Sequence, residues 1–250
     1  MIRGLYIAAT GMRVRQNQID LIANNIANAD TNGYKHDLFL SRSFGDALIS
    51  RINDNPGYMA SNAIGYLNHG IVADGTHTVY TQGNLYATER SADFAIAGQG
   101  FFEVMTPAGG RLIRCSSTYI NADRELVSYE GWRFLGNGGS IRIPTDDFTI
   151  DKRGRIYAQD GQYIDTLRIV DYEDYTQLAK DENGLLIAGG GGMREFSGQV
   201  MQGYLEASNV DLTNELMRMM SASRYFESSQ RVIRIMDETL AKTVNEVGRL

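Results

Sequence analysis

The sequence predicts an α+β protein, with long N- and C-terminal helices of coiled-coil type flanking a mainly antiparallel β middle domain. Apolar residues recur at helical spacing at both ends of the 250-residue chain. The stretch between them breaks into short β-prone runs punctuated by glycine and aspartate. A stripe that returns every three to four residues lies along one side of a helix and needs a surface to cover it.

At the N-terminus, Leu5, Ala8, Met12, Ile19, Ile22 and Ile26 alternate by threes and fours, interrupted at Arg15. The spacing predicts a helix over residues 3–28, stopped by the turn-forming cluster Asn28-Ala29-Asp30-Thr31-Asn32-Gly33. Residues 37–50 are apolar without a clean period, and Asn53 to Gly57 reads as a loop. From about residue 70 the pattern becomes β. Ile71 to Tyr80 contains an expected Asp74-Gly75 turn, and Asp93 to Ala97 alternates before Gly98-Gln99-Gly100 bends the chain. Phe101 to Met105 resumes the strand. A turn over Thr106–Gly110 leads into Arg111–Arg114. Ile141–Ile143, Phe148–Ile150, Arg155–Tyr157 and Tyr163–Val170 read as further short strands, with turns at Lys152-Arg153-Gly154 and Asp160-Gly161. Short runs bounded by such residues indicate antiparallel pairing, and the lack of long intervening helices argues against a parallel α/β fold. The four glycines Gly189 to Gly192 read as a flexible joint.

The C-terminal helix is expected to begin near Asn209 or Asp211. Leu212, Met219, Phe226, Ile233, Leu240 and Val247 repeat every seven residues along it, flanked by Met217, Met220, Val232, Ile235 and Met236. The companion row of Leu216, Ser223, Gln230, Asp237 and Val244 is polar in its middle, which a uniform two-stranded seam disfavours. Such a helix suits a bundle or tube, although the two terminal helices could also pair within one monomer.

Composition narrows the function. A net charge of −6 gives no support to a general nucleic-acid or anionic-membrane binder. One cysteine, Cys115, excludes an internal disulfide. No apolar run reaches the ~18 residues of a membrane span, and Arg13 and Arg15 stand where a signal peptide would have small cleavage-site residues. Enzyme readings are weak. Gly98-Gln99-Gly100 lacks the third glycine of a dinucleotide loop, and the four-glycine run lacks the Lys-Ser/Thr of a phosphate loop. His36, His69 and His77 have no partners at metal-ligand spacing. Asp146, Asp147, Asp151, Asp171, Glu173 and Asp174 read as turn acids rather than a catalytic pair. The expectation is no enzyme activity, no cofactor and no metal.

Three blocks then become specific. Leu21-Ile22-Ala23-Asn24-Asn25-Ile26-Ala27-Asn28-Ala29-Asp30-Thr31-Asn32-Gly33-Tyr34-Lys35, with Gly4 to Met12 before it, resembles the N-terminal motif of bacterial flagellar rod and hook proteins. Tyr204 to Leu212, containing Ser208, Asn209 and Val210, resembles the opening of their C-terminal helix, followed by Arg224-Tyr225-Phe226-Glu227. Gln82-Gly83-Asn84-Leu85 and Asp93 to Phe102 are similar to their shared β domain. The chain departs from the family pattern at Arg114-Cys115-Ser116-Ser117-Thr118-Tyr119.

The resemblance implies an axial subunit, closest to a proximal or distal rod protein, with a hook-type or hook-junction protein as the alternative. It implies an inner tube of terminal helices with the β domain outside, export through the flagellar type III apparatus without a cleaved signal peptide, and partners among copies of itself and other rod and hook proteins. The terminal-helix assembly domain is expected over 1–36 plus 205–250, connecting segments over 37–69 and 186–204, and the outer β domain over 70–185. The expected assembly interface is Leu5, Met12, Ile19, Ile22, Ile26, Leu212, Leu216, Met219, Phe226, Ile233, Leu240 and Val247. A reading of another class is a coiled-coil adaptor that forms a closed dimer.

Overall fold

The computed structural model describes residues 2–50, 63–145, 147–181 and 183–248, so the loop expected at Asn53–Gly57 lies outside the described residues. The chain forms two compact units. The first gathers Met1–Ile26, Asp37–His77 and Leu212–Leu250; the second gathers Ala27–His36 and Thr78–Asp211. The architecture is α+β, with one long helix at each end and mainly antiparallel strands between.

In the first unit, α1 spans Ile2–Ala27 and α2 spans Leu212–Val247. The 36 residues of α2 extend about 54 Å at 1.5 Å per residue. The aperiodic apolar stretch 37–50 is β structure: Asp37–Ser43 pairs with Ile71–Thr78, and Ala47–Ser50 pairs with Ala63–Leu67. The turn expected at Asp74-Gly75 does not form. The strand runs through it because its partner comes from Asp37–Ser43 rather than from a segment folding directly back. Asn68 holds the return, donating from Nδ2 to the Phe44 carbonyl at 2.5 Å and accepting from the Gly70 N–H.

The second unit is built around a sheet in which 101–106 lies between 133–136 and 109–113. Phe101 and Phe102 point to opposite faces, as consecutive strand residues must. Phe102 packs edge-on against Phe94 at 5.0 Å, and Phe134 joins them, centring a core with Ile96, Leu126, Ile141, Ile143, Ile156 and Val200. Phe101 enters a second cluster with Leu112, Tyr172, Leu178 and Leu186. Beside that cluster Asp171 is fully buried, held by the Arg194 guanidinium and the Tyr175 hydroxyl. Burial, and then that hydrogen bond, push the Tyr175 hydroxyl above the usual tyrosine range.

Three sequence expectations need correction here. Phe94–Ala97 does not alternate in burial; Phe94, Ala95 and Ile96 are all buried, because strands 199–202 and 115–116 flank the segment. Ile141–Ile143 is not a strand but carries a single bridge, Glu125 to Arg142. Its amides divide between two acceptors, Ile141 to Phe134 and Ile143 to Arg124, so no ladder propagates. Gly189–Gly192 is not a joint before α2. It lies inside the second unit, where the Gly192 carbonyl accepts from the Glu173 N–H and Gly189 presses on the Gln177 carbonyl.

That last contact is testable. A Cβ at Gly189 would stand 1.9 Å from the Gln177 oxygen. Gly189→Ala should therefore destabilise the protein by about 1–3 kcal/mol, the cost of overpacking a fixed backbone. Urea unfolding followed by the fluorescence of Trp132 measures this, and an unchanged midpoint would restore the flexible-joint reading.

Candidate assembly surface

Helices α1 and α2 pair antiparallel. Gly4 faces Met236, Gly11 faces Ser229, the Arg15 guanidinium lies 5.0 Å from the centre of the Tyr225 ring, and Asn25 Nδ2 donates to Glu215 Oε2 at 3.3 Å. The covered positions of α2 are Asn214, Glu215, Met219, Ala222, Ser223, Phe226, Ser229, Ile233, Met236 and Leu240. Met219, Phe226, Ile233 and Leu240 thus fall on the shielded side, as the heptad indicates. The companion row is corrected by one residue: it runs through Glu215, Ala222, Ser229 and Met236, and of Leu216, Ser223, Gln230, Asp237 and Val244 only Ser223 is half-buried. Polarity misled the choice. Gly11 stands opposite Ser229 and Gly4 opposite Met236, and the Glu215 carboxylate accepts from Asn25 Nδ2 and pairs with Arg218 at 3.0 Å.

The interruption at Arg15 is likewise no break. Its stem crosses the seam, Nη1 donates to Gln18 Oε1 at 2.6 Å, and the cation sits over Tyr225. Of the α1 stripe, Ile22 is buried, while Leu5, Met12, Ile19 and Ile26 are half-buried. Val14, absent from the predicted stripe, is buried too. It follows Tyr6 and Thr10 along another side of α1, where Tyr6 stacks on Phe44 and Thr10 approaches Gly70. Its four-residue spacing from Thr10 was the available signal.

Much apolar surface stays bare. Leu212 and Leu216 are 47% and 45% exposed, and Met217, Met220, Tyr225, Val232, Ile235 and Val244 are exposed along α2, with Tyr6 and Ile7 on α1. The side chain of Val247 lies outside the described residues.

The motif residues do different work. Asn24 is exposed and Asn25 buried; the Asn25 amide exchanges two hydrogen bonds with the Asp37 backbone, fixing where the chain enters its first strand. In the second unit, Asn28 and Thr31 bond one another to shape the turn, and Gly33 takes φ +73° so that its N–H reaches the Glu206 carbonyl at 2.7 Å. The Tyr34 ring lies 4.5 Å beneath the Lys180 ammonium. Asn209 ties two segments together: Oδ1 accepts from the His36 N–H, and Nδ2 donates to Val79 and Thr81. The Ser208 hydroxyl accepts from the Val210 N–H at 3.3 Å, and Val210 is half-buried.

Between these motifs sits a buried charge cluster that the sequence did not disclose. Glu206 is fully buried. Its Oε1 accepts from Lys35 Nζ at 2.5 Å and from the Gly83 N–H at 2.9 Å; its Oε2 accepts from Arg114 Nε at 2.7 Å. Lys35 also donates to the Thr81 carbonyl, and Arg114 to the carbonyls of Gly98 and Gly100. Gly83 must lack a side chain, because a Cβ would stand 2.0 Å from the Ala207 oxygen. Gln82 completes the arrangement, bonding the backbone of Ile96 and Gly98. No group of three or more histidine, cysteine, aspartate or glutamate side chains able to hold a metal is found among the described residues, and no helix among them is long and apolar enough to cross a membrane.

Comparison with known proteins converges on one family. Residues 5–35 match the family described as flagella basal body rod protein, and residues 201–246 match the flagellar basal body rod FlgEFG protein C-terminal family. The chain is 34% identical over 268 residues to the flagellar basal-body rod protein FlgG of Agrobacterium fabrum, covering 95% of this chain and 96% of that one. It is 32% identical over 270 residues to FlgG of Bacillus subtilis, covering 98% and 99%. It is 29% identical over 272 residues to the flagellar hook-basal body complex protein FlhO of the same organism, covering all of both chains.

Removing one partner from the buried cluster should be far worse than losing a surface ion pair. Glu206→Leu is expected to cost about 3–5 kcal/mol, since it leaves Lys35 and Arg114 desolvated without their counterion, and Lys35→Met less, since Glu206 keeps Arg114 and the Gly83 amide. The double variant should cost less than the sum. Equilibrium unfolding of the three proteins measures the coupling, and strict additivity would refute it.

Proposed function

The chain belongs to the flagellar basal-body rod protein family, and on that premise we propose that it is exported and then polymerises through its paired terminal helices. It is a structural subunit of the rod, located in the flagellar basal body. The family is structural, so no chemical step is assigned. The reading of the mechanism rests on one observation: apolar side chains remain exposed along α2 after α1 has paired with it. Exposed apolar patches of this kind mark interaction sites.

The proposed assembly domain is 1–36 plus 205–250, with 70–185 as the outer β domain. Its interface combines Leu5, Met12, Ile19, Ile22, Ile26, Leu212, Leu216, Met219, Phe226, Ile233, Leu240 and Val247. Some of these hold the helix pair together, and others meet neighbours. A patch that contacts a different patch on the next copy extends an open helix when the rotation does not close. Other rod and hook proteins are the remaining partners, reached after passage through the type III export apparatus. Helices draw most of their stability from packing, which suits a chain that orders its ends on assembly. Sedimentation separates this reading from the closed adaptor dimer: a dimer stops at two copies, whereas a rod subunit stays single or grows into fibres.

Ile235 is 62% exposed. Ile235→Asp should therefore leave the monomer folded, with an unchanged thermal transition, while a charge forced into a desolvated contact blocks incorporation. Purified basal bodies probed for a tagged variant, together with swimming in soft agar, provide the readout. Normal incorporation and motility would remove the helices as the assembly surface.

A further inference from the structure

An open groove of about 480 Å³ runs between the two helices, walled by Gly4, Ala8 and Gly11 on one side and Val232 and Met236 on the other. It continues past Arg15 and Tyr225 into a hollow of about 210 Å³ beside Met217 and Arg218. Among the described residues neither part is lined by an aspartate or glutamate, and Arg15 borders both. The groove is thus apolar, floored by small residues and positive at its middle.

Helix α2 has a complementary end. Gly4 already stands opposite Met236, so the turns from Asp237 onward run past nearly all of α1. From Ala241 to Glu246 every residue is exposed. From Asp237 onward the sequence carries Asp237, Glu238 and Glu246 against Lys242 and Arg249. Asp237 and Val244, both exposed, fall seven residues apart, so a carboxylate and an apolar side chain share one side, with the half-buried Leu240 between them.

We propose that the overhanging turns of α2 from a second copy lie in this groove, with Asp237 against Arg15. The inference rests on the rod reading and deepens it by naming which two surfaces meet. The pair cannot close within one copy: Arg15 lies at Tyr225, twelve residues and about 18 Å along α2 from Asp237. A cation beside apolar walls gains from an anion that arrives with its own apolar neighbours, and such complementarity fixes register as well as affinity. Groove and overhang are different patches, so the contact propagates from copy to copy.

Charge reversal on the full-length protein tests the contact by sedimentation over a range of concentrations. Arg15→Glu and Asp237→Arg should each raise the concentration needed for assembly about tenfold, the effect of a loss near 1.4 kcal/mol. A one-to-one mixture of the two variants should recover, because each reversed groove then finds a reversed overhang. Gly11→Leu provides a second arm. A Cβ there meets nothing nearer than the Ser229 hydroxyl at 4.0 Å, so the longer side chain has the groove to enter; an unchanged thermal transition checks that the helix pair survives, and assembly should then fall. Unimpaired single variants, or a mixture that stays impaired, overturn the proposal. Recovery only when another rod protein is added overturns it too, since the occupant is then not a second copy. If the reversals assemble normally while Ile235→Asp is excluded from basal bodies, the rod mechanism stands and only this contact is lost.

Discussion

Taking a carboxylate and two cations out of water costs several kcal/mol per ion, and the β body of this protein does so at Glu206, Lys35 and Arg114. The arrangement holds because almost every donor and lone pair in it is used. Lys35 and the Gly83 amide fill one oxygen, Arg114 takes the other, and spare guanidinium and ammonium protons go to the carbonyls of Thr81, Gly98 and Gly100. A hydrophobic replacement of equal volume could be as stable. What it could not do is dictate which segments meet, since only the ionic version leaves a heavy penalty on every wrong partner. The cluster joins the end of the first family motif to the start of the last one, and both glycine-bearing motifs between them contribute to it.

The helices were legible from the sequence because periodicity reports a covered side directly. The heptad through Met219, Phe226, Ile233 and Leu240 lies on that side. What periodicity cannot report is how closely the partner approaches. The companion row was misplaced because Ala222 and Ser229 carry little apolar surface, although Ala222 is buried and Ser229 stands opposite Gly11. Arg15 looked like an interruption for the same reason, since its aromatic partner Tyr225 is 210 residues away along the chain.

In the β body, short runs and glycine punctuation located most strands, but pairing decided the rest. Ile141–Ile143 has strand-like composition and a buried place, yet its amides point to separate acceptors. Asp74-Gly75 has turn composition, yet a distant strand keeps it extended. Four consecutive glycines suggested slack, whereas Gly189 is there because the Gln177 carbonyl occupies the space a methyl group would need. Of the ionic cluster, composition offered only oppositely charged residues at the margins of two motifs. Their meeting is a property of topology.

The strand at 85–87 finds its partner at 204–206, and Gly33 bonds to the same late segment. The body therefore has a seat that stays vacant until residues 204–206 have been made. Contacts this remote in sequence form slowly, because a long loop must be closed before they repay it. A chain that has not yet reached Glu206 lacks both the partner of strand 85–87 and the counterion of Lys35 and Arg114.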